Sequence, residues 1–166
     1  FGRTIDDFLA SPTGTMSVVL SRQIILTPEQ KQVAIGKLRE AFAEYQKAIT
    51  LDPDLGRAYA GLGAVTSSLG RRQEAEEFYT QAFAHISRMT EREKYRTRSG
   101  YYLLKRNADK ALEESKALVE KFPADTAGLA NLALAYFNRR DMPRAVAEGR
   151  RAVEMYPSNV IRRNNL

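Results

Sequence analysis

The chain has 166 residues, with 26 basic against 20 acidic side chains for a formal net charge of +6, and it contains no cysteine. That length can bury a domain-sized core, while the missing thiols exclude a disulfide framework, a thiolate metal site and a cysteine nucleophile. The longest apolar candidate, Met16 to Leu26, is broken by Ser21, Arg22 and Gln23 and falls short of the roughly 18 residues that a membrane-spanning helix needs. No basic stretch precedes an apolar one as in a signal peptide, so no membrane role is expected and the compartment is read as cytoplasmic. The positive excess is spread among acids, as in Arg71-Arg72-Gln73-Glu74-Ala75-Glu76-Glu77, which reads as a solvated helix surface.

Residues 1–26 form an N-terminal extension. Thr4-Ile5-Asp6-Asp7-Phe8-Leu9 predicts a short helix capped by Thr4, and Ser11-Pro12-Thr13-Gly14-Thr15 a loop. The β-branched residues of Met16 to Leu26 favour a strand by propensity, while Met16, Leu20 and Ile24 fall at helical spacing; the stretch is read as a covering helix or an extended segment, the helix preferred because a lone strand in a helical chain would leave its backbone groups without partners. Thr27-Pro28-Glu29-Gln30 then offers a capping hydroxyl, Pro at the first helical position and Gln three residues after the cap. The helix is predicted to run to about Leu51 with Leu38, Ala41, Phe42, Tyr45, Ala48 and Ile49 as its buried stripe, until Asp52-Pro53 stops it.

From Gly56 the pattern becomes paired. Tyr59, Leu62 and Gly63 mark one helix, Gly70 a turn, and Ala75, Phe78, Tyr79 and Ala82 the next. Thr90-Glu91-Arg92-Glu93 is a capping box opening a third pair, with Tyr95 and Tyr102 in its first helix and Ala111, Leu118 and Pro123 closing the second. In the fourth, Leu129, Leu132, Ala133 and Tyr136 precede the turn Arg140-Asp141, and Met142, Ala145, Val146, Ala152 and Val153 follow it. Ile161 to Leu166 read as the first turns of a further helix cut short, and hence as a fragment of a longer protein. Helices of this length are marginal alone, about 12–15 residues being the lower limit in water, so each pair needs its neighbours.

A period runs through these pairs. Ala41, Ala75, Ala111 and Ala145 are separated by 34, 36 and 34 positions, Pro53, Pro123 and Pro157 lie in the same frame, and the turn residues Gly36, Gly70, Arg106 and Arg140 keep step. Such a period marks a helical solenoid in which each unit buries its face on the next. The expected fold is all-α, an α-solenoid of antiparallel helix pairs wound as a right-handed superhelix. Its units are 27–53 (degenerate), 56–87, 90–123 and 126–157, with 158–166 starting another. Ala or Gly at the crossings lets the axes approach to the short end of the usual 8–10 Å range.

The chain resembles the tetratricopeptide repeat family. That family's pattern of an aromatic, Leu-Gly, Tyr, Gly, Ala, Tyr, Ala and Pro is matched by Tyr59, Leu62, Gly63, Gly70, Ala75, Tyr79 and Ala82, and again by Leu129, Leu132, Ala133, Tyr136, Ala145, Ala152 and Pro157. The likeness covers about Gly36 to Pro157. It departs at Pro28, which shortens or replaces the first helix, at Ser87-Arg88-Met89-Thr90, a longer linker, and at Leu118, which stands where Ala would allow close approach. Met89-Thr90-Glu91-Arg92-Glu93-Lys94-Tyr95 and Gly100-Tyr101-Tyr102 also resemble repeat regions behind some bacterial serine/threonine kinase or regulatory domains.

The resemblance implies a non-enzymatic scaffold whose first helices line a concave, partner-binding groove. Carried over, the groove positions are Arg57, Ala60, Ala64, Ser67 and Ser68; Glu93, Arg96, Gly100, Leu103 and Leu104; and Ala127, Ala130, Leu134, Phe137 and Asn138, with Asn131 beside them. Leu103, Leu104, Leu134 and Phe137 would form an apolar strip rimmed by Arg57 and Arg96, suited to an extended peptide or a helix; the alternative is that Leu103 and Phe137 are simply core between repeats. Some members grip a terminal carboxylate. Here Arg96 and Asn131 fit that clamp, but Gly100 stands where Asn is needed and Ile161 where Lys is, so chaperone-tail recognition is not expected.

Other chemistry is not supported. His85 is the only histidine and sits late in a helix, as a surface or interhelix residue rather than a base or metal ligand. Gly61-Leu62-Gly63 is accounted for by helix contact, not phosphate binding. Tyr95, Tyr101 and Tyr102 among Arg92, Lys94, Arg96, Arg98, Lys105 and Arg106 could engage nucleic acid, but the helical period scatters those charges over different faces. No cofactor, metal or nucleic acid is expected, and the partner is a protein or peptide. The rival readings are a homodimer through the uncapped last repeat and a nucleic-acid-binding helical repeat.

Overall fold

The computed structural model describes residues 28–155. The helices expected within Phe1 to Leu26, the Thr27 cap, Pro157 and the helix from Ile161 lie outside the described residues. Seven α-helices follow one another, with no strand among the described residues: α1 (Pro28–Leu51), α2 (Gly56–Ser68), α3 (Arg72–Ala84), α4 (Glu91–Leu104), α5 (Ala108–Lys121), α6 (Thr126–Asn138) and α7 (Met142–Met155). A short 3-10 turn, Ile86–Arg88, separates α3 from α4. α2 pairs with α3, α4 with α5 and α6 with α7, while α2 lies against α4 and α4 against α6. The result is the expected all-α stack of helical hairpins.

The three hairpin turns close in one way. Gly70, Arg106 and Arg140 take φ values of 80°, 57° and 65°. The amides of Arg71, Asn107 and Asp141 then reach back five residues to the carbonyls of Thr66, Tyr102 and Tyr136, at 2.9, 2.9 and 3.0 Å. This closure satisfies carbonyls that the helix end would otherwise leave bare. It requires left-handed backbone, which disfavours a residue with a Cβ by roughly 1–2 kcal/mol; only Gly70 is free of that cost.

Gly36 does not belong with them. Although in step with the other turn residues, it lies inside α1, and nothing stands within 4 Å of where its Cβ would be. A single glycine costs a helix interior only about 1 kcal/mol relative to Ala. The helix runs through to the stop at Asp52-Pro53, as the cap-and-stop reading of this stretch expects.

Helix starts follow the local chemistry. Thr90 Oγ1 accepts from the Glu93 amide at 3.3 Å and the Thr90 amide donates to Glu93 Oε2 at 2.9 Å, completing the capping box. Asn107 and Asp125 accept from the amides of Lys110 and Gly128 at 3.1 and 2.8 Å. Ala75, Ala111 and Ala145 are all buried, while Ala41 is half-buried. Behind them, Leu129, Leu132, Leu134 and Tyr136 form one core cluster with Val119, Ala145 and Ala152, and Ala75, Tyr79 and Leu104 form another.

The long linker and Leu118 both resolve through packing. Met89, inside the linker, is buried, and its sulfur accepts from Thr97 Oγ1 at 3.4 Å. Leu118 is fully buried and does not hold α6 away, because the facing residue is Gly128, where a Cβ would come within 2.8 Å of a Leu118 methyl.

Candidate functional site

The first helices of the hairpins, α2, α4 and α6, lie side by side, α2 against α4 and α4 against α6, and so share one long face. Arg57 on α2 and Glu93 on α4 meet across it, Nη1 to Oε1, at 3.8 Å. Ala60, Ala64, Ser67, Gly100 and Ala127 are half-buried, and Asn138 is exposed. The lining is therefore mostly small and polar.

The expected apolar strip is not continuous. Leu104 is only 6 % and Leu134 only 8 % exposed; Leu104 packs with Ala75 and Tyr79 and Leu134 with Leu129 and Leu132. Ala130 is likewise buried. These three are core residues rather than groove residues, since adjacent first helices bury the side chains between them. Leu103 and Phe137 are half-buried against the same core and keep a partial surface.

Two of the polar groove residues are committed to structure. Arg96 donates from Nε to Asp125 Oδ2 at 2.8 Å, and its Nη2 lies 2.7 Å from the same oxygen. Arg92 Nε adds a 2.5 Å bond. Asn131 donates to Ser99 Oγ at 2.7 Å. Asp125 is thus an N-cap for α6 and the anchor of two arginines from α4, with its side chain at 0 % exposure. Burial pushes its pKa up, but the hydrogen bonds from Arg96, Arg92 and the Gly128 amide outweigh that and hold it below the ordinary carboxylate range. The sequence pattern did not single out this clasp. Its visible signals were an Asp before the Thr126 helix start and two arginines four apart on one helix face.

Gly100, which replaces the clamp's Asn, has a structural partner. Tyr79 crosses from α3, and a Cβ on Gly100 would stand 2.3 Å from its hydroxyl, while one on Gly63 would stand 2.8 Å from its ring. The ring occupies the room that two glycines leave. Burial raises the Tyr79 pKa far above its usual range, so the hydroxyl stays protonated.

His85 caps the end of α3, stacks on Tyr59 at 5.7 Å and sits 3.6 Å from Asp54 through Nδ1. Among the described residues no group of three or more His, Cys, Asp or Glu side chains is placed to hold a metal ion. No described helix is long and apolar enough to cross a membrane.

Residues 32–70, from within α1 through the α2 turn, match the family model described as TPR repeat. No curated protein matches the chain. Over those residues the chain is similar to the tetratricopeptide repeat, and the all-α array of hairpins with a common turn agrees with that likeness.

Proposed function

We propose that the shared face of α2, α4 and α6 binds an extended segment of another protein, or of the longer protein that carries these repeats, in a non-enzymatic recruiting or regulatory role. The tetratricopeptide repeat is a protein–protein interaction module, and the observation that carries the finer reading is the small-residue lining. Ala60 and Ala64 on α2 and Ala127 on α6 leave a shallow bed along that face. An extended chain can lie close to such a bed, with Leu103 and Phe137 for apolar contact and Arg57, Ser67, Glu93 and Asn138 for polar contact. Arg96 and Asn131 serve it indirectly, by fixing α4 against α6.

Selection of displayed peptides against the wild-type chain tests this, followed by affinities for an Ala64→Arg/Phe137→Asp variant. The expected result is a loss of at least about tenfold, equivalent to 1.4 kcal/mol, with the fold intact by circular dichroism. Selected peptides that bind both proteins equally would place the interaction elsewhere. Retention on heparin is expected to be weak, because many cations on these helices are paired with acids; steep salt dependence there would favour nucleic acid instead. A second reading, self-association, draws on Val146, 59 % exposed on α7; light scattering that shows a monomer over a concentration series ends it.

A further inference from the structure

The hairpin turns lie together along one edge of the stack. Lys105, at the end of α4, reaches Glu76 near the start of α3 at 3.2 Å, and Arg139, at the end of α6, pairs with Asp109 at the start of α5. These ion pairs run from each turn to the one before it. Each turn carries two adjacent cations: Arg71-Arg72, Lys105-Arg106 and Arg139-Arg140. Arg71 and Arg72 are also held, by Glu74 at 2.6 Å and Glu76 at 3.5 Å.

Arg106 and Arg140 differ from the others. Both are exposed, and neither makes an ion pair among the described residues. Both also sit at the left-handed apex where the second repeat has Gly70. Turn geometry alone would be served better by glycine at all three apexes. Two repeats instead accept the strain and present an arginine, a pattern that points from a backbone outlier to a function. Beside the Gly70 turn, a depression of about 310 Å³ lined by Arg39, Phe42, Leu69 and Arg71 extends the basic edge to α1.

We infer that this turn edge docks an acidic protein segment, with Arg106 and Arg140 as its two charge-bearing contacts. The partner's carboxylates complement guanidinium forks left unpaired one repeat apart. A nucleic acid fits less well, because Glu76, Asp109 and Asp141 interrupt the cations and would repel a continuous phosphate track. The surface is separate from the α2, α4 and α6 face and can be tested independently of it.

The test is anisotropy of a short fluorescein-labelled polyglutamate peptide at low salt, using the full chain. Replacing both apex residues, Arg106→Gly/Arg140→Gly, relieves the backbone strain, so the fold is expected to melt no lower than wild type. Binding should weaken at least about fivefold in that variant and in Arg106→Gln/Arg140→Gln, against less than about twofold in the charge-matched Lys94→Gln/Arg150→Gln. Three outcomes would overturn the inference: no binding by wild type, equal losses in the apex and matched variants, or tighter binding of a single-stranded oligonucleotide of equal charge that the apex variants abolish.

Discussion

Where α6 buries Leu132 and Ala133, α4 places Arg98 and Ser99 at the matching positions, 34 residues earlier. The contrast continues behind them. Ser115 on α5 is fully buried with no hydrogen-bond partner for its hydroxyl, and the buried Oε2 of Glu114 is likewise without one, 3.9 Å from Arg98. Burial pushes the Glu114 pKa up, Arg98 draws it down and Glu113 pushes it up again. α6, by contrast, buries an apolar run from Leu129 to Tyr136 that is interrupted only by Asn131. One hairpin backbone thus tolerates two interiors. The fourth hairpin buries the longer apolar run, whereas the third adds to its own buried Leu104, Ala111, Leu118 and Val119 what neighbours insert into it: Tyr79 from α3, and Asp125 and Asn131 from the α6 side.

The comparison breaks most readily at Asp125. Asp125→Ala removes the α6 cap and strands Arg92 and Arg96, and is expected to cost about 3 kcal/mol in urea denaturation. Asp125→Asn keeps a capping side chain and should cost about half of that; a variant as stable as wild type would show that the arginine clasp contributes nothing. The clasp also has a pH signature. Because the folded pKa of Asp125 is lowered, its contribution is complete above the ordinary carboxylate range. It is lost as pH falls through that range towards the folded value. Glu114 has the opposite sign, its raised folded pKa favouring the fold at lower pH. Wild type should therefore lose stability on acidification more steeply than Asp125→Asn.

Next in size is overpacking at the small positions. Ala75→Leu and Ala145→Leu should each cost roughly 1–3 kcal/mol, seen as lower melting temperatures; a melt no lower than wild type would show that the helices do not meet there. Two serines sharpen the contrast further. Ser115→Ala removes a buried, unpartnered hydroxyl and should stabilise by about 1 kcal/mol, whereas Ser99→Ala strands Asn131 and should destabilise by about as much. Smallest is Arg140→Gly, expected to raise stability by less than about 1 kcal/mol through relief of the left-handed strain, measured by chemical denaturation.

Local pattern made much of this legible. The capping box at Thr90, the stop at Asp52-Pro53, the buried alanines and the turns at Gly70, Arg106 and Arg140 all follow from short-range chemistry and a repeat period. The period alone put Gly36 among the turns, whereas the cap-and-stop reading carried one helix through it to about Leu51, which is what the structure has. The pattern also counted Leu104 and Leu134 as groove residues, because position along one helix does not reveal how closely the next first helix lies.

The sequence by itself determined the helices, their pairing and the solenoid class, because those depend on contacts between residues three or four apart and on one period. Only the tertiary structure decided that Tyr79 fills the space above Gly63 and Gly100, that Gly128 yields to Leu118, and that Arg92 and Arg96 both hold Asp125. Those outcomes depend on which side chains from different helices compete for the same few ångströms, and no pattern along a single chain segment records that competition.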